Sequence, residues 1–200
     1  YPERTLITTG LSKWCGAGGW RLGVQIVPAD APEALKKALI GLASETFSSA
    51  ATPIQVAAIQ AYVRDNETET YLRLQCDLLR EIGIQVHRKL ADAGIAVHPP
   101  EGAFYLLLDF SPLQDILKSR GITTDEQLCE QILRDTGVAL LPGIAFGLPV
   151  EALTARLSYV DFNGTSLLDA MKHTDDTSTV IQQNCSHMFE GISRLVSWLQ

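Results

Sequence analysis

Basic residues are in short supply in this chain. Sixteen Lys and Arg face 23 Asp and Glu, a formal net charge of −7. An acidic surface gives a polyanion little to hold, so nucleic acid is not an expected partner. A polybasic membrane patch is excluded on the same ground. Long apolar runs are missing too: no stretch reaches the roughly 18 residues of a membrane span. The N-terminus has no basic region followed by an apolar run, so a secretory leader is not expected. Cysteines number only four, at Cys15, Cys76, Cys129 and Cys185. They form no Cys-x-x-Cys pair and no Cys/His cluster of zinc-ligand spacing, which argues against a disulfide framework or a structural zinc. His87, His98, His173 and His187 share no i,i+4 pairing, so no metal site is expected. What the chain does have is apolar content, 46% hydrophobic against 20% charged, enough to build a core rather than remain disordered. The expectation is a globular cytoplasmic protein of one or two domains.

The opening residues read as two short strands around a glycine-rich turn. Thr5 to Thr9 is β-favouring, Gly16-Ala17-Gly18-Gly19 turns, and Leu22 to Val27 is a second strand closed by Pro28. Such a pair cannot bury both faces unaided and leaves open edges, so more protein is expected to complete the sheet. A helical half follows. Pro32 opens a helix through about Glu45, and Thr52 with Pro53 reads as an N-cap and first-turn pair. From Pro53 to Ala93 the pattern is helical, with Leu74, Leu78 and Ile82 spaced by four and Gly94 as its stop. Asp65-Asn66-Glu67 and Gly83 are candidate bends. Strands and helices then alternate: Ala96–His98, Phe104–Asp109, a helix from Ser111, a capping box at Thr124 to Gln127 for a helix ending at Gly137, strands at 138–141 and 155–160, and a closing helix from Ser186. Residues 1–50 thus read as the end of one domain and 51–200 as a compact α/β domain.

The chemistry concentrates around the glycine turn. Gly16, Gly18 and Gly19 fit neither the dinucleotide fingerprint, since Arg21 stands where its third glycine belongs, nor the phosphate-binding P-loop. By themselves they are a turn between strands. Their neighbours change the reading. Lys13 leaves the end of a strand and Arg21 follows eight residues later, so two cations share one cleft. A second cation lowers a lysine's pKa and helps it form a Schiff base, and a guanidinium fork suits a phosphate dianion. These are the needs of a pyridoxal phosphate site.

Gly10-Leu11-Ser12-Lys13 followed by Gly19-Trp20-Arg21-Leu22-Gly23 resembles the lysine signature of the class I/II aminotransferases, the aspartate aminotransferase-like group of fold-type-I pyridoxal phosphate enzymes. The likeness continues through Pro100-Glu101-Gly102-Ala103-Phe104-Tyr105, then Gly137-Val138 and Leu141-Pro142-Gly143-Ile144-Ala145-Phe146-Gly147, and last Arg156-Leu157-Ser158. The resemblance covers essentially the whole chain. It implies an α/β fold comprising the end of the large-domain sheet in residues 1–50, then a long linking helix and a small α/β domain in residues 51–200.

The same resemblance implies roles. Lys13 is the Schiff-base lysine and the α-proton shuttle, Arg21 a phosphate ligand with Ser12 beside it, and Arg156 the bidentate partner of the substrate α-carboxylate. Phe104, Tyr105 and Phe146 would shape the pocket or simply fill core. Substrates would be an amino acid and a 2-oxo acid, and the assembly a homodimer in which the partner subunit approaches near Ser48, Ser49 and Thr52. Two departures stand out. Gly10 occupies the position where the family usually has a phosphate-binding serine. No Asp precedes Lys13, whereas the family pairs an upstream aspartate with the cofactor's ring nitrogen. With Tyr1 rather than Met at its start, the chain is expected to be the C-terminal half of such an enzyme. A C–S lyase or synthase on the same scaffold, and a non-catalytic truncated module, are the alternative readings.

Overall fold

The computed structural model describes residues 1–63, 65–173 and 176–200. It divides into two compact units, Tyr1–Arg73 and Leu74–Gln200.

In the first unit, strand β1 (Ile7–Gly10) pairs antiparallel with β2 (Gly23–Ile26), in register from Ile7 opposite Ile26 to Gly10 opposite Gly23. Helix α1 (Leu11–Trp14) follows β1 directly. Leu11, Leu22 and Ala58 form a small buried cluster with Trp14 and Ile54 packed around it. Helix α2 (Glu33–Thr46) buries none of its residues, and Ile40 and Leu42 remain mostly exposed. Ile7 and Ile26, at the open end of the hairpin, are each about half exposed. Helix α3 (Thr52–Tyr62) carries Pro53 in its first turn, with Ala51 rather than Thr52 as N-cap.

The helical run expected from 53 to 93 is broken once. Helix α4 (Asn66–Asp92) begins after Asp65, whose carboxylate accepts the Thr68 amide at 2.8 Å and the Gln60 side chain at 2.8 Å. Asp65 thereby caps the new helix, and the Thr68 bonds hold its carboxyl below the usual carboxylate range. Gly83 is not a bend, contrary to expectation: α4 passes through it without interruption. A Cβ there would stand 2.9 Å from the Tyr159 hydroxyl and 3.0 Å from Pro100, so the glycine serves close packing.

The second unit is a four-stranded antiparallel sheet in the order β3 (Ala96–Val97), β4 (Tyr105–Asp109), β6 (Thr154–Ser158), β5 (Leu141–Pro142). Fifth-strand pairing is shorter than the sequence suggests, since Val138 instead donates its amide to the Thr136 hydroxyl. Helix α5 (Gln114–Ser119) and helix α6 (Asp125–Thr136) lie between β4 and β5 in sequence. Thr124 caps α6 by accepting the Gln127 amide, and Gly137 ends it at φ 73°. The reciprocal arm of the capping box reaches one residue further, from Gln127 to the Thr123 amide at 2.9 Å. Three helices close the chain: α7 (Gly164–Met171), α8 (Thr177–Asn184) and α9 (Ser186–Leu199). The first two were not legible as helices, although Asn163 and Asp176 cap them in the ordinary way. Leu78, Ile82, Val86 and Leu90 of α4 pack with Leu106, Leu108, Ala155 and Leu157 of the sheet and with Ile132, Ile192 and Leu195. Each buried Leu, Ile or Val contributes about 1.5–3 kcal/mol over its exposed state. Among the described residues no helix is long and apolar enough to cross a membrane.

Candidate active site

Lys13 sits in α1, in the turn of helix that continues from β1. Arg21 stands just before β2 in the left-handed region, φ 55° and ψ 45°, where a side chain is unusual. Its Nη1 donates to the Gly18 carbonyl at 2.9 Å, which tethers the guanidinium to the glycine turn. The Leu11 amide donates to the Leu22 carbonyl at 3.2 Å and the Ala17 amide to the Leu11 carbonyl at 3.0 Å. These bonds fold the twelve residues between the strands into a closed loop, so Ser12, Lys13 and Arg21 all belong to one short segment. Arg21 lines a cavity of about 610 Å³ together with Thr8, Thr9 and Ser49. A Cβ at Gly10 would lie 3.0 Å from the Leu22 carbonyl oxygen. Tight strand pairing thus accounts for the glycine found where the resemblance leads one to expect serine.

Arg156 and Phe104 belong to the second unit. Arg156 is on the central strand β6, opposite Leu107 of β4 and Leu141 of β5. Alternation along the strands sorts the two faces. Leu106, Leu108, Ala155 and Leu157 point into the core. Tyr105, Leu107 and Asp109 share the other face with Arg156. Tyr105 is diagonal to Arg156 in that register, and the guanidinium carbon lies 4.4 Å from its ring centroid. Phe146 comes over the same group from the 3-10 turn Gly143–Phe146, at 4.6 Å. Each such stack is worth about 0.5–1 kcal/mol at an exposed site and more when water is excluded. Among the described residues no carboxylate pairs with Arg156. Two aromatic rings close to the guanidinium carbon and no carboxylate pairing with it leave a hydrogen-bonding fork of the kind that suits a bidentate carboxylate contact. A groove of about 1090 Å³ lined by His98, Glu101, Tyr105 and Asp109 runs beside it.

Phe104 is half-buried against the core and stacks on Tyr105 at 4.5 Å, tilted. It touches the Arg156 cluster through Tyr105, whose ring is the one over the guanidinium. Asp125 is fully buried and its Oδ2 accepts the Ile144 amide at 2.8 Å, on the turn that carries Phe146. Sequence reasoning placed Asp125 only within a helix cap. Its burial has no signature in spacing, because acidic residues are common in first turns for dipole reasons alone.

Comparison with known proteins gives this arrangement a family. The model of the family described as aminotransferase class I and II matches residues 1–162. An aspartate aminotransferase of Bacillus sp. (strain YM-2) is 32% identical over 157 residues, 78% of this chain and 37% of that protein. An asparagine–oxo-acid transaminase of Streptococcus mutans is 31% identical over 158 residues, with the same shares of 78% and 37%. Among solved structures, aspartate aminotransferase from Thermus thermophilus with maleate superposes with a TM-score of 0.72 at 22% identity, covering 98% of this chain and 41% of that one. An aromatic aminotransferase from Pyrococcus horikoshii OT3 gives a TM-score of 0.72 at 23% identity, covering 98% and 43%. The fold is therefore a part of the fold-type-I aminotransferase architecture, and the chain spans well under half the length of the curated relatives it matches. On the match across residues 1–162, this chain belongs to the class I and II aminotransferase family.

Proposed function

We propose that this chain is the C-terminal portion of a pyridoxal-phosphate-dependent aminotransferase that moves an amino group between an amino acid and a 2-oxo acid. In this reading residues 1–50 end the cofactor domain and 51–200 form the small domain with its linking helix. The whole protein works as a cytoplasmic homodimer. The observation that carries the reading is the closed loop fastened by the Leu11–Leu22 hydrogen bond, which keeps an amine and a guanidinium on one short segment. The donor set suits the cofactor: a primary amine at Lys13 for its aldehyde, the Arg21 guanidinium for its phosphate, and hydroxyls of Thr8, Thr9 and Ser49 around Arg21's cavity. Bound there, pyridoxal phosphate draws electrons from the substrate and weakens its Cα–H bond. Lys13 Nζ is the base that takes the α-proton and returns it. Arg21 and Ser12 hold the phosphate end. Arg156 grips the α-carboxylate through its in-plane N–H groups, and Phe104 borders the site through Tyr105. A partner for the ring nitrogen is assigned to the part of the family fold that this chain does not span.

The test is a pyridoxal phosphate titration of the chain, followed by borohydride reduction and peptide mapping. An adduct confined to Lys13 is the expected result. Label spread over Lys36, Lys37, Lys89 and Lys118 with no preference for Lys13 overturns the assignment.

A further inference from the structure

We propose that Asp125 is a positioning residue for Arg156: its buried carboxyl group anchors the 143–147 turn that lays Phe146 over the guanidinium. The inference rests on the reading of Arg156 as the carboxylate-binding arginine.

The turn is rigid within itself. The Gly147 amide donates to the Ile144 carbonyl at 3.0 Å and the Leu148 amide to the Gly143 carbonyl at 3.2 Å. A segment closed by its own hydrogen bonds moves as a piece, so what fixes it to the rest of the unit decides where Phe146 sits. Beyond the β5–β6 pairing that leads into it at Pro142, two contacts do this. Gly143 is pressed against Thr154, the first residue of β6, so closely that a Cβ would collide with the Thr154 hydroxyl. Asp125 supplies the directional bond, its Oδ2 accepting the Ile144 amide at 2.8 Å. Ile144 is two residues from Phe146, and Phe146 is 4.6 Å from the Arg156 guanidinium carbon. Thr154, meanwhile, is two residues from Arg156 on the same strand.

Burial of Asp125 needs an explanation that the helix does not provide. An acidic residue in a first turn helps the helix dipole from the surface, as exposed Glu126 does next door. Removing a carboxyl group from water is costly unless it is well bonded. Asp125 is 0% exposed, and its Oδ1 has no hydrogen-bond partner among the described residues. A residue kept only for α6 would sit better outside. Among the described residues, the one hydrogen bond of the Asp125 carboxylate is to the turn.

The test reads Arg156 directly. Aromatic rings shift protons held over their faces upfield, so in the NMR spectrum of the labelled chain the Arg156 δ and ε protons report both Tyr105 and Phe146. Phe146→Leu removes the Phe146 share and calibrates it. Asp125→Ala is expected to reproduce that loss without ligand, while the Tyr105 share persists and shows that the sheet is intact. Asp125→Asn, whose amide oxygen still accepts from Ile144, is expected to restore most of it. Asp125→Ser, polar but too short to reach, serves if the alanine variant does not fold. Titration with succinate, followed on the same resonances, is expected to weaken roughly two- to fivefold in Asp125→Ala and Phe146→Leu alike, as one cation–π contact is lost. Alanine and serine variants that keep the full Phe146-dependent shift overturn the proposal. Wild-type resonances that ignore succinate overturn the carboxylate reading of Arg156 instead, since the ligand-free shifts judge the positioning separately.

Discussion

The Tyr159 hydroxyl donates to the Ala103 carbonyl at 3.1 Å, and the Tyr159 amide donates to the Phe104 carbonyl at 3.2 Å. One buried residue thus holds two successive carbonyls of the segment that leads into β4. Ala103 is held at φ 56°, in the left-handed region, immediately before Phe104 and Tyr105. Tyr159→Phe is expected to lose about 1 kcal/mol, the net value of one hydrogen bond. Gly83→Ala pushes a methyl group against the same hydroxyl and is expected to cost more, about 1–3 kcal/mol. Urea denaturation measures both. A Gly83→Ala variant as stable as wild type would show that α4 can move away from Tyr159 without loss.

Thiol reactivity should separate Cys76 from Cys129 and Cys185. Burial pushes the Cys129 thiol up to about 12 and the Cys185 thiol up to about 11. Cys76 is exposed. Only the thiolate reacts with maleimide, so at pH 8 the native protein is expected to label at Cys76 first, with Cys129 and Cys185 protected until it unfolds. The raised values also carry a stability sign. The folded state keeps these protons longer than the unfolded one, so stability is intact below the unfolded thiol value of about 8.5 and falls as pH rises above it. Mass spectrometry of labelled peptides against time checks the order.

Acid should loosen the packing of α9 on α6 through Asp135. Its carboxylate accepts from the Gln131 side chain at 2.9 and 3.0 Å and from the Trp198 indole at 2.8 Å. The bonds from these two partners, Gln131 first, hold its carboxyl below the usual range. A depressed value means the contribution is present above the unfolded pKa, about 3.9, and is lost as pH falls through the lower folded value. Asp135→Asn keeps an acceptor for the indole but cannot titrate. Between pH 5 and pH 2 its urea midpoint is expected to fall less steeply than that of wild type, and equal slopes would remove Asp135 from the account.

Much of this molecule is written in local pattern, and the exceptions have a common cause. The four-residue spacing of Leu78 and Ile82, the Thr124 cap and the Gly94 and Gly137 stops are local signals that the backbone obeys. That Lys13, Ser12 and Arg21 share one loop is legible because the segment is contiguous in sequence, while their roles belong to the proposal above. Gly83, Asp125 and Phe146 are different. Gly83 looks like a bend until Tyr159, 76 residues later, is known to press on it. Asp125 looks like an ordinary first-turn residue until Ile144 donates to it. Phe104 and Tyr105 were read together, and only strand register decides that the second faces Arg156. Tertiary neighbours, rather than sequence neighbours, set all of these.

The contact between Gly143 and Thr154 gives the sharpest mutational contrast. The Thr154 hydroxyl is buried and makes no hydrogen bond among the described residues, so it bears a desolvation cost with no return. Thr154→Val replaces that oxygen by a methyl group of similar shape, and is expected to raise stability by about 1 kcal/mol or leave it unchanged. Gly143→Ala places a Cβ where the hydroxyl already stands. Since that neighbour is on a central strand and cannot swing aside freely, the variant is expected to lose about 1–3 kcal/mol. The two sites touch, so their effects should not add. Thr154→Ala, itself mildly destabilising, opens the space that the new methyl group needs, and the double variant Gly143→Ala/Thr154→Ala is expected to recover part of the loss. Urea midpoints for the complete cycle decide it: strict additivity would mean that the 143–147 turn is not seated on β6 in the way described.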